Sequence, residues 1–299
     1  MYFKSARFRR LMGYQLFLVP ALIMYISLVM VPLFMSVYYS FTDFSMHRPE
    51  ITFIGFQNYI NLFDDTELMA SISNTLFFAV VSTFFVNVIA ILLAVGLDRK
   101  MRGKNLMRMV IFAPAVLSSL MVGYVWAFIL SSVESGLANT LLMNIGLVDG
   151  PVNWLGDPRF ALNSIIVIFV WQWTGWCMVI YLANLQMIPT DIYESAEIDG
   201  ANGFQKFFYI TLPLLITAVT INTVLFMIIG LRVYDIIIAT TGGGPGFATQ
   251  SITTVLVRRV FGIAQFGYGS AIATVLLLLI MSITVIQLGI LKIWERKVL

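Results

Sequence analysis

The chain has 299 residues, of which 60% are hydrophobic and only 11% charged, with a formal net charge of +3; an ordinary soluble domain carries roughly 25% charged residues. That composition excludes a water-soluble globular protein. The basic residues gather at the ends of apolar runs, which points to anionic lipid rather than nucleic acid, and the single cysteine, Cys177, excludes an internal disulfide.

Lys4, Arg7, Arg9 and Arg10 precede an uncharged run over residues 11–42. This run is too long for a secretory leader, and Pro20 and Pro32 interrupt it without a small-residue cleavage site, so it is expected to stay as a first membrane helix. Further runs without Asp, Glu, Lys or Arg cover 68–97, 109–133, 160–190, 207–231 and 260–291. Each exceeds the ~20 residues that span the hydrocarbon as a helix, and lipid leaves helices or a closed barrel as the only ways to satisfy the backbone. Residues 272–286 lack the alternating polarity of a barrel strand. The expected fold is therefore an all-α membrane protein with six transmembrane helices. A seventh uncharged stretch, 236–257, contains Thr-Thr-Gly-Gly-Gly-Pro-Gly and is predicted to be a turn-rich, non-spanning loop.

Arg99, Lys100, Arg102, Lys104 and Arg108 lie between the second and third runs, Lys206 before the fifth, and Lys292, Arg296 and Lys297 after the sixth. With the N-terminal cluster these make up most of the 18 basic residues on one side, which the positive-inside rule assigns to the cytoplasm together with both termini. The opposite side carries Arg48, Arg159, Arg258 and Arg259 among Asp43, Glu50, Asp64, Asp65, Glu67, Glu134, Asp149 and Asp157. Residues 189–213 are net acidic on the inner side, and the Arg258-Arg259 pair falls outside. Both depart from the rule.

The acidic inner segment is the most informative part of the chain. Pro189 should end the fourth membrane helix. A short helix can begin at once, capped by Asp191 with Glu194 in a box-like pair or by Thr190. Ile192, Tyr193 and Ala196 form its apolar stripe, flanked by Asp191 and Glu197. Asp199-Gly200 turns the chain, glycine being free to take positive φ, and a second helix runs through Phe204, Phe207 and Phe208 to Pro213 in the first turn of the fifth membrane helix. An interfacial helix resting on lipid usually carries basic residues on its polar face; this one carries acids, which favours docking of another protein.

The spacing Glu194, Ser195, Ala196, Gly200, Ile210, Leu212, Pro213 resembles the coupling-loop signature of ABC importer permeases, Glu-Ala-Ala, three residues, Gly, nine residues, Ile-x-Leu-Pro, with Ser195 in place of the first alanine. Trp171-Gln172-Trp173-Thr174-Gly175, Met178, Leu182-Ala183, Leu185-Gln186 and Ile188-Pro189 are similar to the matching segment of maltose-type carbohydrate permeases. Asp235 with Thr241-Gly242-Gly243-Gly244-Pro245, Thr249 and Phe261 resembles a further motif of that sub-family. The likeness covers roughly residues 70–291. It implies a type I ABC importer permease with a core of five helices over 71–291, an N-terminal part over 1–70 and a tail over 292–299, in a prokaryotic inner or plasma membrane. The implied partners are a second related permease, two ATP-binding subunits that dock on Asp191, Glu194, Ser195, Ala196, Asp199, Gly200, Ile210, Leu212 and Pro213, and an extracytoplasmic solute-binding protein that delivers a carbohydrate. No phosphate-binding loop of the form Gly-x-x-x-x-Gly-Lys-Ser/Thr exists in the chain, and Gly103-Lys104 lacks its flanking residues. ATP and Mg are therefore expected on partner subunits, with no cofactor here and transport by alternating access.

Sugars are held by aromatic faces and a few polar groups. Trp173, Trp176 and Asn184 on the fourth helix and Asn222 on the fifth are candidates to line the pathway; packing, lipid anchoring and helix-to-helix hydrogen bonding are the alternatives. Arg232 and Asp235, spaced i, i+3 near the outer end of the fifth helix, lie on one face where they can pair within the membrane; a structural pair or an outer-gate contact is favoured over a substrate ligand. The single His47 has no partner for a metal, and no facing nucleophile and base suggest an enzyme. A glycerol phosphate or polyol cargo stays open, as does an ion-coupled secondary transporter, although such proteins place ionisable residues near the bilayer midplane.

Overall fold

The computed structural model describes residues 17–47, 50–99, 101–133 and 136–298. Lys4, Arg7, Arg9, Arg10 and Lys100 of the inner basic set lie outside the described residues, as do Arg48 and Glu134 of the outer set. Two compact units form, one from the chain up to residue 64 with 256–276, the other from 65–255 with 277–299.

In the first unit, α1 (Phe17–Tyr39) is apolar throughout and buries none of its hydrophobic window within the chain. After it, an antiparallel bridge pairs Thr42 with Phe53 and leads to α2 (Gln57–Asp64). Asn58 fastens this turn, its amide donating to the Ser40 and Thr42 carbonyls at 2.9 and 2.8 Å. The Ser40 and Tyr59 hydroxyls meet at 2.6 Å. His47 Nε2 lies 3.2 Å from the Ile263 carbonyl oxygen, so its one visible role is to hold two loops together.

The second unit contains α3 (Thr66–Asp98), α4 (Lys104–Val116), α5 (Ser119–Ile129), α6 (Leu137–Asn144) and α7 (Ala161–Leu185). It continues through α8 (Thr190–Ile198), α9 (Gly203–Leu214), α10 (Ile216–Leu231), α11 (Asp235–Thr240) and the start of α12 (Ile252–Val257), whose last two residues belong to the first unit. Helix α13 (Phe266–Val298) starts in the first unit and ends in the second. Helices α3, α7 and α10 enclose the core of Phe78, Val86, Ile168, Phe169, Met178, Tyr181 and Phe226. Asp65 caps α3, its carboxylate accepting from the Glu67 and Leu68 amides. Helix α4 packs on α7, and glycine is needed at their crossing: a Cβ on Gly175 would overlap the Ile111 carbonyl oxygen and stand 2.7 Å from the Phe112 Cα.

Among the described residues four helices, α1, α3, α7 and α13, are long and apolar enough to span alone. The third and fifth expected spans are instead bent pairs: α4 and α5 meet at 100°, α9 and α10 at 67°. Counting each pair as one span gives the expected six. Both breaks have a proline upstream, Pro114 and Pro213, whose ring removes one helical donor and crowds the preceding turn. At the first break Leu117 becomes extended, with φ −77° and ψ 146°. The carbonyl this frees accepts a hydrogen bond from buried Gln172 Nε2 on α7 at 3.0 Å. The stretch 236–257 does not span, but it is more ordered than a loop: α11 and α12 flank the turns, and Thr241 and Thr249 close them hydroxyl to hydroxyl at 2.7 Å.

Candidate functional site

Helix α8 begins directly after Pro189, and no side chain caps it. The expected Asp191–Glu194 box is not formed. Pro189 already sets the extended entry geometry, with φ −58° and ψ 135°, so Asp191 falls inside the first turn, where a carboxylate favours the helix dipole. The capping box sits on the second arm instead: Asn202 accepts from the Gln205 amide at 2.9 Å, and the Gln205 side chain accepts from the Asn202 amide at 2.8 Å. Asn followed three residues on by Gln was a legible signal for it.

Gly200 ends α8 with φ +79°. Its amide donates to the Glu197 carbonyl at 3.0 Å and the Ala201 amide to the Ala196 carbonyl at 2.9 Å. These two bonds make a Schellman ending, which favours glycine at the left-handed position. Its own backbone neighbours aside, no atom of the described residues lies within 4 Å of a Cβ built there, so conformation alone requires the glycine within this subunit.

The signature residues divide by exposure. Ala196, Ile210, Leu212 and Pro213 are half-buried, Leu212 against the helix core, whereas Asp191, Glu194, Ser195, Asp199 and Gly200 face outward. Beside these acids stand three large apolar side chains that the chain leaves uncovered: Ile198 at 87%, Tyr209 at 79% and Phe204 at 74% exposure. An open crevice of about 280 Å³ runs past Asp199, Gly200, Gln205, Tyr209 and Ile210. Lys206 Nζ reaches Glu197 Oε1 at 2.7 Å and holds that carboxyl below its ordinary range, first by the hydrogen bond and then by charge.

The four candidate pathway residues have different surroundings. Trp173 is half-buried between Phe169 and Phe226. Trp176 is exposed and stacks on Phe112. The Asn184 amide donates to its own helix, at the Ile180 carbonyl. Asn222 is fully buried, with neither amide atom hydrogen-bonded; it faces Tyr181, whose hydroxyl donates instead to Asn87 Oδ1 at 2.6 Å. An apolar groove of about 730 Å³ between α3, α4 and α7 carries Trp171 and Thr174 rather than these residues. Arg232 and Asp235 are both exposed and form no ion pair among the described residues. Helix α10 stops at Leu231, and Tyr234, at φ −145° and ψ −64°, breaks the chain before α11, so the i, i+3 relation of a continuous helix does not hold.

Residues 86–298 match the family model described as "Binding-protein-dependent transport system inner membrane component". The chain belongs to this family. Among its members, the trehalose/maltose transport system permease protein MalF of Thermococcus litoralis is 35% identical, over 82% of this chain and 84% of that one. The multiple sugar-binding transport system permease protein MsmF of Streptococcus mutans is 31% identical, over 93% and 95%. A chain in the crystal structure of a bacterial alginate ABC transporter, in complex with an alginate pentasaccharide-bound periplasmic protein, superposes with a TM-score of 0.83. It does so over 97% of this chain and 98% of that one at 22% identity, a likeness of fold. This family member thus has the fold of an ABC importer permease.

Proposed function

We propose that the chain is the permease subunit of an ATP-driven importer for a sugar or oligosaccharide, forming half of the translocation path with a second related permease. Two ATP-binding subunits, which hold the ATP and Mg, dock on the outward side chains of the 189–213 loop, Asp191, Glu194, Ser195, Asp199 and Gly200, and not on half-buried Tyr193 or buried Thr211; an extracytoplasmic solute-binding protein delivers the cargo. Residues 71–291 act as the core, 1–70 as an N-terminal addition and 292–299 as a tail, with both termini cytoplasmic. The observation that carries this reading is the elbow of α8 and α9, where Ile198, Phe204 and Tyr209 stand uncovered beside Asp191, Glu194 and Asp199. Exposed apolar groups ringed by polar ones mark a protein interface, and acids do not suit an anionic lipid surface. The relatives named for sugars support the cargo class. Trp176, exposed and stacked on Phe112, is the candidate with a free aromatic face for the path. The test is co-expression with the companion permease and ATP-binding subunits: they should co-purify with the wild-type chain in detergent and separate from one carrying Ile198→Glu and Tyr209→Glu.

A further inference from the structure

Resting on that reading, we infer that Tyr193 and Thr211 form the tie through which motion of α8 reaches the fifth membrane helix, with Glu197 and Lys206 keeping the two arms in register. The covalent link between α8 and α9 is the short turn at Asp199–Asn202, built on a glycine in the left-handed region. Such a turn is a poor strut on its own. Two contacts bridge it. The outer one is the exposed Glu197–Lys206 pair, which aligns the arms but is weak against load in water. The inner one joins the Tyr193 and Thr211 hydroxyls at 3.1 Å, with Thr211 buried.

Thr211 reaches that position through a local change of helix type. Phe207–Thr211 is a π-helical turn, in which the Leu212 amide donates to the Phe207 carbonyl. The wider turn, of a kind frequent at functional sites, re-aims Thr211 toward α8. Its hydroxyl proton goes to the Lys206 carbonyl at 3.2 Å, so its oxygen accepts from the Tyr193 hydroxyl. The 67° bend lies four residues further on, at Leu215. The two arms thus form a braced triangle ahead of a pivot. Between them and the inner end of α3 lies a crevice of about 370 Å³, lined by Asp98, Arg99, Tyr193, Lys206, Phe207 and Thr211, which leaves room for the triangle to swing.

Tyr193 and Thr211 are positioning residues, and their test separates force transmission from docking. In the assembled transporter, with Cys177→Ser and a reporter Ile221→Cys on the exposed face of α10, the maleimide labelling rate is measured without nucleotide and with ATP plus vanadate. The wild-type elbow should change that rate by about fivefold or more, the usual size of coupling between sites. Tyr193→Phe and Thr211→Val should abolish the change while ATP hydrolysis and co-purification persist, and Thr211→Ser, which keeps the hydroxyl, should restore it. A full nucleotide response in both Tyr193→Phe and Thr211→Val overturns the tie. An intact elbow that neither retains the ATP-binding subunits nor responds to nucleotide overturns the docking reading beneath it.

Discussion

Removing the Tyr181 hydroxyl should destabilise the helix core without opening a cavity. Tyr181 is wholly buried and donates to Asn87 Oδ1 across α7 and α3 at 2.6 Å; among the described residues the one other hydrogen bond to that oxygen comes from the Cys177 thiol at 3.8 Å, a weak donor. In Tyr181→Phe the ring still fills its site, so the cost is that of a stranded acceptor. Buried unsatisfied groups cost about 1–3 kcal/mol, and interhelical hydrogen bonds in membranes average about 0.6, which brackets the loss at about 0.6–3 kcal/mol. Cys177 supplies the assay: it is the only cysteine and it is buried, so a thiol-reactive dye reports unfolding on heating in detergent. The midpoint should fall by about 2–4 °C per kcal/mol. Adding Asn87→Leu should cost less than the sum of the two single changes, because the orphaned acceptor leaves with its partner. A Tyr181→Phe chain with the wild-type midpoint, or strictly additive losses in the double mutant, refutes the assignment.

Gly175→Ala should force α4 away from α7, because the new methyl meets backbone at Ile111 and Phe112 that no rotamer change can clear; a loss of about 1–3 kcal/mol is expected, read by the same labelling of Cys177. Gly200→Ala should cost about 1–2 kcal/mol, from its left-handed conformation alone. Gly200→Trp should insert in the membrane at wild-type levels yet lose co-purification of the ATP-binding subunits and uncouple transport; normal uptake by that variant would count heavily against docking at the turn. The Glu197 carboxyl is held low by Lys206, so the pair's contribution is full above the ordinary carboxylate range and is lost only as pH falls through the depressed value. Titration of Glu197 by carbon-detected NMR should accordingly show no change between pH 6 and pH 8, and a midpoint at or above the ordinary glutamate value would contradict the pairing.

The sequence disclosed the elements that obey strong periodic rules. Uncharged runs located the spans because lipid permits little else, and Gly200 was legible because a helix ending prefers glycine at its left-handed residue. The breaks at Leu117 and Leu215 were harder to see. Proline signals a disturbance, but the angle depends on which partner takes up the freed carbonyl, as Gln172 does for Leu117. The Asp191–Glu194 box was misplaced because Pro189 can start a helix without a side-chain cap, leaving the box to Asn202 and Gln205. The Arg232–Asp235 pairing assumed one continuous helix, and the turn at Tyr234 removes that premise. The Tyr193–Thr211 tie could not be read at all, since helical spacing does not announce a π turn.

The central claim is that the acidic elbow takes up work done elsewhere, and solute accumulation in proteoliposomes tests it most directly. The assembled transporter, supplied with its solute-binding protein and with internal ATP, should accumulate solute, and vesicles holding the chain without ATP-binding subunits should not, under any imposed proton or sodium gradient. Uphill uptake by the chain alone on such a gradient would contradict the account.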